Sequence, residues 1–122
     1  MIIGKVNSSR LAMITLIVLD SNQVEHHHLA MIDTGFSGFC TLSPKIISEL
    51  KLVFFEQREF TLGTGEDVTM SLYEGTIIWD GNERKVLIVE ADDDALVGME
   101  TMEGYTLFID AIDGGEVRIQ AR

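Results

Sequence analysis

The chain has 122 residues, 46 % of them hydrophobic and 24 % charged, enough for one core and too few for two. That balance excludes intrinsic disorder, a collagen-like repeat and a polytopic membrane protein. Nine basic against twenty acidic residues give a net charge of −11, which repels phosphate backbones; the single cysteine, Cys40, excludes an intramolecular disulfide and a multi-cysteine zinc site.

Eleven glycines and one proline, Pro44, punctuate short apolar runs, the spacing of many short strands joined by tight turns. Ile2–Val6 opens the chain as a strand. Lys5 and Arg10 then precede the apolar run Leu11–Leu19, an arrangement superficially like a signal peptide. The run is far shorter than the roughly twenty residues that span a bilayer. Polar Asp20-Ser21-Asn22-Gln23 follows it without a small-x-small cleavage site, and Ile14, Thr15, Ile17 and Val18 are β-branched. It therefore reads as a buried strand of a cytoplasmic protein, leading through a polar turn into a second strand, Val24–Ile32.

Further strands are expected at Cys40–Leu42, Val53–Thr61, Asp67–Tyr73, Gly75–Trp79, Lys85–Val89, Tyr105–Ile109 and Glu116–Ile119. Asp80-Gly81-Asn82 and Asp113-Gly114-Gly115 are hairpin signals, because Asp and Gly tolerate positive φ. Ser43–Leu50 reads as a helix, with a capping serine, proline at the first helical position, and Ile46, Ile47 and Leu50 on one face. Gly98–Gly104 fits a turn or two of helix stopped by its last glycine. Glu90-Ala91-Asp92-Asp93-Asp94 reads as a solvated acidic loop. With no repeat, linker or low-complexity tract, residues 1–122 read as one mainly-β domain, a small closed barrel or sandwich.

The segment richest in chemistry is Ala30-Met31-Ile32-Asp33-Thr34-Gly35-Phe36-Ser37-Gly38, where an apolar strand ends in a carboxylate, a hydroxyl and a glycine. An aspartate at the end of a buried strand is costly unless paired or heavily hydrogen-bonded. Gly35 lets backbone N–H groups approach that carboxylate, and Thr34 adds a hydroxyl. Taken alone, these three residue types favour a plain turn in which Asp33 caps its own loop, because short motifs recur by chance.

Three motifs in order carry more. Apolar-apolar-Asp33-Thr34-Gly35 is followed by the glycine-rich segment Leu62-Gly63-Thr64-Gly65-Glu66-Asp67, and then by Ala95-Leu96-Val97-Gly98-Met99-Glu100-Thr101-Met102, an apolar-apolar-glycine triplet leading into a short helix. Together with the ending Gly104–Asp110, this set resembles the small prokaryotic retropepsin-like aspartic proteases with a DTGF signature, over roughly residues 10 to 119. The resemblance implies an all-β acid-protease barrel with one or two short helices, and an aspartic-type endopeptidase. Two carboxylates there share one proton, because like charges about 3 Å apart cannot both ionise. The chain holds Asp-Thr-Gly once, so the resemblance implies a homodimer in which Asp33 of each protomer meets on the two-fold axis.

It further implies that Asp33, Thr34 and Gly35 are catalytic, that Phe36 and Ser37 shape the cleft, and that Gly63, Thr64 and Gly65 form a flap over an extended peptide substrate. The Gly98 triplet is expected beneath the active-site loop, and Glu116–Ile119 either pairs with its dimer mate or forms an ordinary edge strand. Pepsin-like members carry Ser or Thr where this chain has Phe36. Without that hydroxyl, activity is expected at weakly rather than strongly acidic pH. No cofactor, metal, nucleic acid or membrane is implied. The rival reading is a non-catalytic dimeric barrel of the same fold that binds peptides.

Other features have plainer readings. His26 and His28 share one face of a strand within reach of one ion, but no second histidine cluster exists, and a solvated face is expected. Cys40 reads as a small buried hydrophobe and not a nucleophile. Lys51-Leu52-Val53-Phe54-Phe55 reads as core packing, and Gly63-Thr64-Gly65 lacks the lysine of a phosphate-binding loop.

Overall fold

Alternation sets the architecture. Along the second strand Ile14, Leu16 and Val18 point inward and are almost wholly buried, while Thr15 faces solvent. The computed structural model describes all 122 residues, Met1–Arg122. Its strands are β1 (Ile2–Val6), β2 (Ala12–Leu19), β3 (Glu25–Ile32), β4 (Cys40–Leu42), β5 (Val53–Thr61), β6 (Asp67–Trp79), β7 (Asn82–Glu90), β8 (Leu96–Val97), β9 (Tyr105–Ile109) and β10 (Glu116–Ala121). Two short helices, α1 (Pro44–Leu50) and α2 (Met99–Met102), interrupt them. No helix is long and apolar enough to cross a membrane.

Six strands close into a ring. β2 pairs antiparallel with β3, β3 parallel with β8, β8 antiparallel with β4, β4 parallel with β7, and β7 antiparallel with β6. β6 returns to β2 through Ile17↔Ile78 and Val18↔Ile77. Ile14, Leu16, Val18, Ala30, Ile32, Leu42, Ile77, Ile88 and Val97 fill its interior, so the all-β expectation holds. β1, β10 and β9 extend from β2 as an antiparallel wing, and β5 hangs on β6 alone.

The turns follow local chemistry. Asp80 (φ 52°) and Gly81 (φ 81°) form a two-residue connection between Trp79 and Asn82, both in the left-handed region such tight hairpins require. Asp20 Oδ1 accepts from the N–H groups of Asn22 (2.7 Å) and Val24 (3.0 Å), shaping the β2–β3 turn. Ser43 caps α1 by accepting from Ile46 N–H at 3.3 Å, with Pro44 at the first helical position as expected.

Four expectations change. Asp67–Tyr73 and Gly75–Trp79 are one strand of 13 residues, because Gly75 continues the ladder where Ile88 packs against it; a Cβ there would lie 2.4 Å from Ile88 Cδ1. Leu96–Val97 forms β8, a two-residue strand too short to show periodicity. Val53, Phe54 and Phe55 are 65 %, 53 % and 46 % exposed and not core, because the β5–β6 hairpin stands off the ring with one partner strand. Glu116–Ile119 is not an edge: β10 lies between β1 and β9, both of its hydrogen-bonding sides used within the chain.

Candidate active site

Asp33 leaves the ring where β3 ends beside β8. Its own N–H still donates to Val97 O at 2.9 Å, extending the ladder by one residue past buried Ile32. The chain then turns. Phe36 N–H donates to Asp33 O (3.2 Å), and Gly35 N–H donates to the side-chain Oδ1 of Asp33 (2.9 Å). Asp33 is half-buried, whereas Thr34, Gly35 and Ser37 are exposed, so one carboxylate edge is fixed by backbone and the residues around it face outward.

The loop rests on the start of α2. Gly98 N–H donates to Phe39 O (2.8 Å), Met99 N–H to Phe36 O (2.8 Å), Glu100 N–H to Gly38 O (3.1 Å), and Thr101 Oγ1 to Phe39 O (2.6 Å). Gly98 has to be glycine for this approach: a Cβ there would sit 2.2 Å from Gly38 O and 2.6 Å from Phe36 Cδ2. Packing of the Gly98 triplet against the loop matches the expectation. The Phe36 ring lies against Gly38 and Gly98 at the base of the loop. On the far side, buried Thr41 accepts from Leu96 N–H at 3.0 Å and ties β4 to β8.

Thr101 is the positioning residue that sequence patterning passes over. It is fully buried, holds the Phe39 carbonyl, and accepts through its own carbonyl from Arg84 of β7. A lone threonine between two methionines and a glutamate carries no periodic signal, and only the fold brings it under the loop.

Gly63, Thr64 and Gly65 form the tip of the β5–β6 hairpin. Leu62 N–H donates to Glu66 O and Gly65 N–H to Leu62 O, both at 2.8 Å, and Gly65 takes φ +86°. A Cβ at Gly63 or Gly65 would meet nothing within 4 Å, so the tip packs on nothing in the chain. No hydrogen bond joins residues 62–66 to residues 33–37. One chain therefore supplies one Asp33 carboxylate and one free-standing hairpin tip. A cavity of about 610 Å³, bordered by the β2–β3 turn, residues 51–53 and the β6–β7 pair, contains none of residues 33–37.

The histidines behave differently from one another. His26 Nε2 pairs with Asp20 Oδ2 at 2.8 Å, and His27 Nε2 lies 3.5 Å from Glu25 Oε1. His28 Nε2 is buried without a partner, and burial, then the neighbouring His26, hold its pKa below the usual histidine value. No three His, Cys, Asp or Glu side chains gather closely enough to hold a metal ion. The Cys40 thiol is fully buried and pushed up to about 12 by that burial, which leaves it a hydrophobe.

No family model and no curated protein matches the sequence. Solved structures do. A retropepsin-like aspartic protease from Rickettsia conorii superposes with a TM-score of 0.60 at 23 % identity, over 99 % of this chain and 90 % of that one. The EIAV protease, solved with the inhibitor HBY-793, gives a TM-score of 0.56 at 18 % identity, over 80 % of this chain and 89 % of that one. The fold of the chain is thus the retropepsin-like one.

Proposed function

We propose that the chain is an aspartic-type endopeptidase, its catalytic unit a homodimer of single domains spanning residues 1–122. The observation that carries the reading is the setting of Asp33: a carboxylate at the end of a ring strand, one oxygen held by Gly35 N–H at 2.9 Å, on a loop stapled to residues 98–101. Each protomer contributes one such carboxylate, so two-fold symmetry is what makes a pair.

The chemistry then needs no cofactor. One Asp33 is ionised and takes a proton from water, while its neutral mate donates a proton to the scissile carbonyl oxygen. Water oxygen bonds to the carbonyl carbon, giving a tetrahedral diol. The Asp33 that took the water proton gives it to the amide nitrogen while its ionised mate takes a proton from a diol hydroxyl. The C–N bond then breaks to a carboxylic acid and an amine, and one proton stays on the pair. Thr34 and Gly35 hold the carboxylate geometry, and Phe36 and Ser37 border the cleft. The hairpin tip at Gly63, Thr64 and Gly65 covers an extended peptide that adds backbone hydrogen bonds.

The test is digestion of a diverse peptide mixture, read by mass spectrometry from about pH 3 to 7, with wild type and Asp33→Asn at concentrations where both dimerise. Cleavage by wild type alone, strongest at weakly acidic pH, is expected. Equal cleavage by both removes Asp33 from the chemistry. Two dimeric proteins that cut nothing leave a peptide-binding module as the reading.

A further inference from the structure

A second cavity, about 580 Å³, opens on the outer side of β3 and is lined by Leu11, Met13, Met31, Leu96 and the acidic loop Asp92–Asp94. Met13 and Leu96 are the direct cross-strand partners of Met31 on β2 and β8, so the three side chains form one continuous apolar floor. Met31 lies two residues before Asp33 along the same extended line. Side chains two apart share a face, which puts this floor about 7 Å from the Asp33 position on the same side of the sheet.

The rim is fixed and charged. Ala91 N–H donates to Leu42 O (3.1 Å) on one side of the loop, and Ala95 O accepts from Met31 N–H (2.9 Å) on the other. Asp92, Asp93 and Asp94 are all exposed, and none is paired with a cation of this chain. An apolar floor under unpaired carboxylates complements one type of side chain, a long aliphatic stem with a cationic head.

We propose that this cavity is a substrate side-chain pocket and that it takes lysine or arginine. The stem lies on Met13, Met31 and Leu96, and the head meets Asp92, Asp93 and Asp94. An extended peptide rises about 3.3 Å per residue, so the occupant sits within about two positions of the scissile bond. Two-fold symmetry repeats the pocket on the other side, which favours substrates basic on both flanks. The inference rests on the endopeptidase reading for its role in cleavage, though not for binding.

The test compares peptides that carry lysine near the cleaved bond with the same peptides carrying norleucine, which keeps the stem and deletes the charge. Wild type and the triple variant Asp92→Asn/Asp93→Asn/Asp94→Asn are assayed for kcat/KM and, by fluorescence anisotropy, for binding. Wild type is expected to favour lysine about tenfold, and the triple variant to bring the ratio near one. The preference of the wild type should shrink in 0.5 M salt, because the rim is exposed. A wild-type ratio near one, or a ratio that the triple variant leaves unchanged, overturns the pocket while cleavage itself stands. If nothing is cleaved, the binding ratio decides. A lysine preference lost in the triple variant upholds the pocket and removes the catalytic reading, and no preference removes both.

Discussion

Gly98→Ala tests the staple beneath the Asp33 loop. Gly98 has φ −97°, a conformation any residue adopts, so the substitution adds contact without backbone strain. The new Cβ would sit 2.2 Å from Gly38 O, about 0.8 Å inside the 3.0 Å that real Cβ contacts respect, and also 2.8 Å from Phe36 O. Both obstacles are backbone atoms of the loop, so no side-chain rotation relieves them. Overpacking of this kind costs about 1–3 kcal/mol. Displacing the loop also weakens the bonds from residues 98–101 to Phe36, Gly38 and Phe39, each worth about 1 kcal/mol. A loss of about 2–4 kcal/mol follows, which at a urea m-value of about 2 kcal/mol/M lowers the unfolding midpoint by about 1–2 M. A shift of this order at Asp33 should lower kcat/KM about a hundredfold. Gly63→Ala is the control for stability: nothing lies within 4 Å of its Cβ, so the midpoint should move by less than about 0.3 M. Equal urea midpoints for Gly98→Ala and wild type would refute the idea that the loop rests on this glycine.

Two further outcomes follow from buried groups. The folded state holds His28 as the neutral imidazole, its pKa lowered from 6.5 by burial, then by His26 and His27 against an opposing effect of Glu49. The unfolded chain binds that proton more readily, so the contribution of His28 to stability is intact above 6.5 and is lost as pH falls through 6.5 towards the lowered value. Thermal melts of His28→Leu between pH 7.5 and 5 should therefore fall less steeply than those of wild type; parallel curves would contradict the assignment. For Cys40, a thiol at about 12 against the ordinary 9.0 carries about a thousandfold less thiolate at pH 8. Native protein should resist iodoacetamide while urea-unfolded protein reacts within minutes, and fast native labelling would show the thiol to be accessible.

Much of this protein is written in local pattern. The alternation of Ile14, Leu16 and Val18, the serine and proline that begin α1, and the Asp80-Gly81 turn are decisions of neighbouring residues, and they form as the sequence indicates. The order Asp33-Thr34-Gly35, Gly63-Thr64-Gly65, Leu96-Val97-Gly98 likewise points to the observed fold, through its resemblance to the retropepsin-like proteases. What local pattern cannot supply is which strands meet. Phe54 and Phe55 look like core because hydrophobicity is legible and the number of partner strands is not; on a hairpin paired on one side they face solvent. Burial of Thr101 under Phe39, the placing of β10 between β1 and β9, and the meeting of Met13, Met31 and Leu96 beneath Asp92–Asp94 join residues as distant in the chain as Ile2 and Ile119. Those contacts exist only once the ring has closed, since no short-range preference encodes a partner that far along the chain.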